Sequence, residues 1–218
     1  MILAIDTSVA ISIAILDDDL SNILNVEADA AGAQGELTAW YIEGALRERG
    51  ISVDDITEVI VGVGPGPFTG LRVGIATGEV FAFARKIPVT GVCSLDAIGY
   101  AAQRECVVVT NARRKELYWA RYDSTGKRIA GPSVDFPAVI AEKFVGYEFI
   151  GPGVEIYPDV IAGQNVHLQV SDLVLAHRAL VSEALPVAPL YLRAPDAVEP
   201  APRKGTLQPV MDVPGDKS

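Results

Sequence analysis

Cysteine and histidine are scarce: two of each occur in 218 residues, namely Cys93, Cys106, His167 and His177. Neither cysteine belongs to a CxxC or a Cys/His cluster. That excludes a structural zinc site and a disulfide framework. No HxxxH, HExxH or Ser/His/Asp pattern is visible, so neither a catalytic nor a metal-ligating set can be named. Basic charge is also in deficit, with 18 Lys and Arg against 28 Asp and Glu, a formal net charge of −10. Phosphate repels such a chain, which argues against unaided nucleic-acid binding. The deficit is local: residues 1–100 hold 5 basic and 14 acidic side chains, and residues 101–218 hold 13 and 14. No apolar run approaches the roughly 20 residues needed to span a bilayer. Asp6 interrupts the apolar stretch Met1 to Ile5, unlike a signal peptide. A soluble, cytoplasmic protein is expected.

What is abundant is apolar surface. Half of the residues are hydrophobic, ample for a buried core. Ile2–Ile5, Ile11–Leu16 and Ile23–Glu27 predict a three-stranded meander, with Asp6-Thr7-Ser8 and Asp17-Asp18-Asp19 as its turns. Glu36–Arg49 predicts a helix that Gly50 stops. A strand over Glu58–Val63 runs into Gly64-Pro65-Gly66-Pro67-Phe68-Thr69-Gly70, and Leu71–Lys86 predicts a second helix. Val89–Val92 is a strand, Ser94 a candidate N-cap, and Leu95–Arg104 a third helix. The order then restarts. Strands are expected over 107–110, 117–122, 148–150 and 166–170, and helices over 137–144 and 173–185. Setting Ile5-Asp6-Thr7 on Thr110-Asn111-Ala112 aligns two strand–turn–strand units. The class is α/β, with two βββαβα units of which the second is shortened. That is the plan of actin-like, sugar-kinase-like ATPase folds. The units are expected at 1–104 and 105–193. Residues 194–218, with five prolines and no aromatic residue, are expected to form a flexible tail.

Several segments carry candidate chemistry. The Gly64–Gly70 loop passes from a strand into a helix, where amides bind anions. It is neither a Walker A loop nor GxGxxG, and its two prolines remove amide donors. It reads either as an anion or nucleotide contact, with Asp6, Thr7, Ser8, Gly66, Thr69 and Gly70, or as a rigid turn. Asn111 occupies the place of Asp6 in the second unit, and an amide ligates metal more weakly than a carboxylate. Gly70, Gly74, Gly78 and Ala82 form a smooth helical stripe, which points to a close backbone approach. The neighbour is either the chain's own core or a partner subunit. Leu37, Trp40, Tyr41 and Gly44 share a face of the preceding helix and Phe81 lies on the striped one, so both helices are candidates for a shared bundle. Arg113, Arg114 and Lys115 form a basic run, readable as a solvated turn or as a phosphate contact.

Five blocks carry a family resemblance. They are Ile2-Leu3-Ala4-Ile5-Asp6-Thr7-Ser8, Gly64 to Gly74, Val92-Cys93-Ser94-Leu95, Ala112-Arg113-Arg114 with Tyr118-Trp119-Ala120, and Pro189-Leu190-Tyr191-Leu192-Arg193. In this order they resemble the TsaB (YeaZ) family over residues 1–193, most specifically in the Gly64–Gly74 block. The resemblance implies an actin-like fold and a non-catalytic subunit of the machinery that makes threonylcarbamoyladenosine in tRNA. It implies pairing through N-terminal-domain helices with the catalytic paralogue TsaD, with the ATPase TsaE joining them, and self-association through the same surface in some members. tRNA would be met only through the complex. No catalytic residue, metal or stably bound cofactor is expected in this chain, and a nucleotide at the subunit interface stays open. Two positions depart from the family pattern. Gln34-Gly35-Glu36 stands for His-Ser-Glu or His-Ala-Glu, and Asn111-Ala112-Arg113-Arg114-Lys115 stands for Asp-Ala-Arg-Arg-Gly. The alternative function is an actin-like ATPase or phosphotransferase acting through Asp6 and the Gly64–Gly70 loop.

Overall fold

The computed structural model describes residues 1–28, 34–179 and 181–193. The expected tail over 194–218 and the side chain of Gln34 lie outside the described residues.

Strands β1 (Ile2–Asp6), β2 (Ile11–Leu16) and β3 (Asn22–Ala28) form an antiparallel meander. Both β1 and β2 are buried along their whole length. Apolar residues therefore fill nearly every position in them instead of alternating with polar ones. Helix α1 (Gln34–Arg49), β4 (Glu58–Gly62), α2 (Phe68–Arg85), β5 (Val89–Val92) and α3 (Ser94–Ala102) follow. Parallel pairing of β4 on β1 and of β5 on β4 gives the sheet order β3-β2-β1-β4-β5.

The second half repeats this plan with β6 (Cys106–Asn111), β7 (Leu117–Tyr122), β8 (Arg128–Asp135), α4 (Pro137–Lys143), β9 (Phe149–Ile150), α5 (Gly153–Ile156), β10 (Gly163–Gln164) and α6 (Val170–Arg178). Its sheet order, β10-β9-β6-β7-β8, is the same when read from the other edge. The shortening falls on β9 and β10, two residues each, and on α5, with four. The turn chemistry repeats as well. Asp6 Oδ1 accepts the Ser8 amide, and Asn111 Oδ1 accepts the Arg113 amide, both at 2.7 Å. The turns close between Asp6 and Ser12 in one unit and between Asn111 and Leu117 in the other. The duplication is thus visible in topology, register and turn geometry, and the fold is an actin-like α/β pair.

Two helices cover the outer face of each sheet. α1 and α2 pack over Ile5, Ile13 and Val59, and α4 and α5 over Val109 and Trp119. Between the sheets lie α3 and α6, and they are exchanged. α3, from the first half, packs on β6 and β7, while α6, from the second half, packs on β1, β2 and β4. Val170–Arg178 therefore completes the core of the first sheet, although chain order places it in the second unit.

Some local expectations fail for identifiable reasons. Residues 166–170 do not form a strand: Val166 and Leu168 dock on the inner cores as irregular chain, and α6 begins at Val170. β8 escapes a pattern reading because Gly131-Pro132 interrupts it. Ser94 is the first helical residue of α3, with Cys93 at the N-cap.

After α6 the chain runs back as a strap across both units. Leu185 pairs with Gly91 at the edge of β5, and the Leu190 amide donates to the Val63 carbonyl at 2.8 Å. Arg193 Nη1 then donates to the Ala112 carbonyl at 3.1 Å. No helix among the described residues is long and apolar enough to cross a membrane.

Candidate functional site

The Asp6-Thr7-Ser8 turn lies beneath the Gly64–Gly70 loop, and all three side chains are buried. Asp6 Oδ2 accepts the Ser94 hydroxyl at 2.5 Å, and the same hydroxyl accepts the Gly64 amide at 3.0 Å. Ser94 thereby joins β1, the loop and α3. A Cβ at Gly62 would stand 1.7 Å from Asp6 Oδ2, so only glycine admits the carboxylate at this point on β4. Burial pushes the Asp6 carboxyl above its usual range, opposed by the bonds from Ser8 and Ser94. Thr7 Oγ1 donates to the Gly70 carbonyl at 2.7 Å and accepts the Gly74 amide at 2.9 Å, fastening the first turn of α2 to the end of β1. Gly66 rests on Ser8: a Cβ there would meet the Ser8 carbonyl at 2.8 Å.

Each Asp6 oxygen accepts a protein donor inside the fold, and the loop lies directly on the turn through Gly66 on Ser8. Thr69 is the exposed member of the candidate anion set, and Gly66 is half-buried. Among the described residues, no three His, Cys, Asp or Glu side chains gather as a metal site would need.

The glycine stripe of α2 faces inward. Gly70, Gly74 and Gly78 are buried. A Cβ at Gly74 would meet Thr7 Oγ1 at 2.4 Å, and one at Gly78 would meet Val61 Cγ2 at 2.4 Å. The close neighbour is the chain's own sheet, which corrects the assignment of these three glycines to a partner surface. The sequence pattern registers a close approach without saying from where.

The outward face of α2 is apolar for a different reason. Val80 is 67 % and Phe83 86 % exposed, and on α1 Trp40 is 58 % exposed. Tyr41 is half-buried, edge-on to Trp40 with centroids 4.9 Å apart. Leu37 and Phe81 are half-buried against the core, and Gly44 has open space above it. An apolar groove of about 650 Å³ runs between the helices, with Ile42, Leu46, Ala76 and Val80 among its walls and Glu43 and Arg47 among its polar members. Large aliphatic and aromatic side chains thus stand exposed on both of two adjacent helices. Val80 and Phe83, the most exposed of them, carry no spacing signal that sets them apart from core residues of the same helix.

A second polar cluster has no sequence signal at all. Asp96, on α3 and buried between the sheets, accepts the Tyr122 hydroxyl at 2.7 Å and the Ser182 hydroxyl at 2.6 Å. It also pairs with Arg128 Nε at 3.1 Å. Burial raises its carboxyl, opposed first by the Arg128 charge, and burial raises the Tyr122 hydroxyl well above its usual range. Strands β7 and β8 and the start of the strap thus meet on one side chain of α3.

Farther along the strap, Tyr191 stacks on Phe68 at 5.1 Å, and the Arg72 guanidinium lies 3.6 Å above the Phe68 ring. Arg72 Nε donates to the Tyr191 hydroxyl at 2.8 Å. Arg113, Arg114 and Lys115 form the exposed tip of the β6–β7 turn, all with positive φ (58°, 50° and 65°). Left-handed backbone costs a non-glycine residue about 1–2 kcal/mol.

Comparison with known proteins matches this geometry to one family. Residues 30–181 match the family model "TsaD: tRNA N6-adenosine threonylcarbamoyltransferase". An uncharacterized protein of Mycobacterium tuberculosis is 38% identical over 179 residues, covering 77% of this chain and 78% of the relative. One from Mycobacterium leprae is 40% identical over 166 residues, and the match spans 70% of this chain but only 42% of that protein. The tRNA threonylcarbamoyladenosine biosynthesis protein TsaB of Escherichia coli is 27% identical over 201 residues, covering 86% and 85% of the two chains. A crystal structure from Pseudomonas aeruginosa, described as similar to peptidase YEAZ, superposes with a TM-score of 0.72 at 25% identity, covering 88% of this chain and 99% of that one. The inward turn, the duplicated sheets and these relatives agree: the chain belongs to the TsaD family of actin-like proteins and, within it, to TsaB (YeaZ), whose named members are tRNA threonylcarbamoyladenosine biosynthesis proteins.

Proposed function

We propose that this chain is a non-catalytic subunit of the complex that forms threonylcarbamoyladenosine in tRNA, and that it binds and activates the catalytic paralogue TsaD through the α1–α2 face. The observation that carries this reading is the apolar groove between α1 and α2, lined in part by Val80, with Trp40 and Phe83 also exposed on these two helices. Exposed apolar helix faces associate because association removes that surface from water. Trp40 and Phe83 are suited to anchor it, since buried aromatics often dominate interface energetics. The ATPase TsaE would join the assembled pair. A second copy of this chain would compete for the same face. A nucleotide at the subunit interface would be met by Thr69 rather than by Asp6.

Support for a role without chemistry of its own comes from Asp6 and Thr7, whose polar atoms are engaged inside the fold. The ATPase alternative requires Asp6 to face a metal–phosphate group. It predicts magnesium-dependent nucleotide turnover by the purified chain, abolished in Asp6→Ala. Size-exclusion chromatography with light scattering, on the chain alone and mixed with TsaD of the same organism, tests the docking reading. A one-to-one complex that Phe83→Asp disrupts is expected. A chain that ignores TsaD while hydrolysing ATP would overturn it.

A further inference from the structure

Residues 189–193 form no helix or strand, yet they are fastened to both units. Two clasps do this. The first holds the start of α2. Tyr191 stacks on Phe68, Arg72 Nε donates to the Tyr191 hydroxyl at 2.8 Å, and the Arg72 guanidinium lies over the Phe68 ring. Next to it, the Leu190 amide donates to the Val63 carbonyl, just past the end of β4. The second clasp holds the β6–β7 turn. Arg193 Nη1 donates to the Ala112 carbonyl at 3.1 Å, and Nη2 pairs with the Glu116 carboxylate. Ala112 and Glu116 are themselves joined across the turn, the Ala112 amide donating to the Glu116 carbonyl at 3.1 Å. One guanidinium therefore grips both sides of that turn at once, with a fork that lysine does not have.

There is little slack between the clasps. Only Leu192 separates Tyr191 from Arg193, and two residue steps reach at most about 7 Å. Leu190 is packed against the outer core of the first unit and against the inner core under β6 and β7. A segment this short cannot shift at one end and keep its place at the other. The clasps also differ from the other polar link between the units. Asp96 and its partners Tyr122 and Ser182 are buried. Arg72 and Tyr191 are exposed, and Arg193 and Glu116 are half-buried. Polar contacts in such places lie at the low end of local stability and open readily. The first clasp adjoins the apolar groove as well: the hollow lined by Phe68, Arg72 and Val73 shares Ala76 and Thr77 with it.

We propose that residues 189–193 are a latch that couples the N-terminal end of α2 to the β6–β7 turn of the second unit, with Arg72 and Arg193 as its two catches. Closed, it ties that turn to the first unit. With either catch released, both ends come free together. Whatever displaces Arg72 from Tyr191 at the end of the groove thereby acts on the second unit. The coupling is a property of the chain itself and stands whether or not TsaD docks on the adjoining groove.

Amide hydrogen exchange followed by NMR on the isolated chain tests it. Arg193→Gln should speed exchange at the Ala112 and Glu116 amides roughly tenfold, as loss of a charged hydrogen-bonding partner implies. Arg72→Ala removes a side chain that bonds neither residue, yet it should speed the same two amides roughly threefold or more. The double variant should exchange there no faster than Arg193→Gln alone, because a single latch opens once. Arg193→Lys keeps the charge without the fork and should fall between wild type and Arg193→Gln. The Lys127 amide, held by Asp123 in the β7–β8 turn, should not change in any variant. Unchanged exchange at Ala112 and Glu116 in Arg72→Ala would overturn the latch, leaving two independent contacts. Equal acceleration at Lys127 would overturn it too, since it would mean a general loosening of the second unit.

Discussion

Adding one methyl group at Gly74 separates two explanations of the glycine stripe. In a helix interior, Gly→Ala by itself stabilises by about 1 kcal/mol. Here the new Cβ would lie 2.4 Å from Thr7 Oγ1 and 3.2 Å from Thr7 Cγ2, so Thr7 has to move. Moving it breaks the hydrogen bonds to the Gly70 carbonyl and from the Gly74 amide. Those two bonds contribute about 1 kcal/mol each, and the overpacking adds about 1–3 kcal/mol. Net of the helix-propensity gain, Gly74→Ala should destabilise the isolated chain by about 2–4 kcal/mol. Urea unfolding reads this as a midpoint lowered by about 1–2 M, for a slope near 2 kcal/mol per M. A midpoint equal to or above wild type would refute the inward packing and return the stripe to a partner surface. Gly74→Leu, which a partner-facing stripe would tolerate in the isolated subunit, should prevent stable folding outright.

The outward face behaves in the opposite way. Val80→Asp and Phe83→Asp should leave the free energy of urea unfolding within about 0.5 kcal/mol of wild type while weakening TsaD binding at least tenfold by light scattering or calorimetry. Burial pushes the Asp172 carboxyl from its usual 3.8 up to about 6. Its folded state therefore holds the proton more tightly, and that stabilisation is complete below pH 3.8 and lost as pH rises through 6. Asp172→Asn should match wild type in the free energy of urea unfolding at pH 4 and exceed it by about 1–2 kcal/mol at pH 7, after discounting for partial exposure. Tyr122→Phe removes a donor from buried Asp96 and should cost about 1–3 kcal/mol in thermal unfolding. Tyr191→Ala should release the strap, read as faster hydrogen exchange at the Leu190 amide with little change at β1.

The duplicated meander is legible in the sequence because strand alternation and the Asp6 and Asn111 turns are local signals. The four-residue spacing of Gly70, Gly74 and Gly78 is legible too, as a demand for a close neighbour. Which neighbour is not, because spacing along one helix does not say that the Thr7 turn after β1 and Val61 of β4 are what lie against it. Asp96, Tyr122, Arg128 and Ser182 meet from α3, β7, β8 and the strap, and no spacing rule connects them. Residues 166–170 mislead for a related reason. Apolar side chains that dock one at a time as irregular chain look the same in sequence as a strand. The Asp6 carboxylate is ambiguous on sequence alone, since a turn former and a phosphate-facing acid share residue type and position. The bond from the Ser94 hydroxyl to Asp6 has no sequence signal, since Ser94 looks like a helix cap until its partner is seen.

The exchange of α3 and α6, together with the strap, ties the order of synthesis to the order of folding. The inner face of the first sheet has no α6 to bury it until residue 178 has been made, and its edge at Gly91 waits for Leu185. A nascent chain of a hundred residues would carry all five strands of that sheet and still present Ala4, Ala14 and Ile60 to water. Each half completes the other, so the two units should unfold in a single transition, and the first should not fold when cut at residue 104. One pair of exchanged helices joins two units of the same plan into a single body.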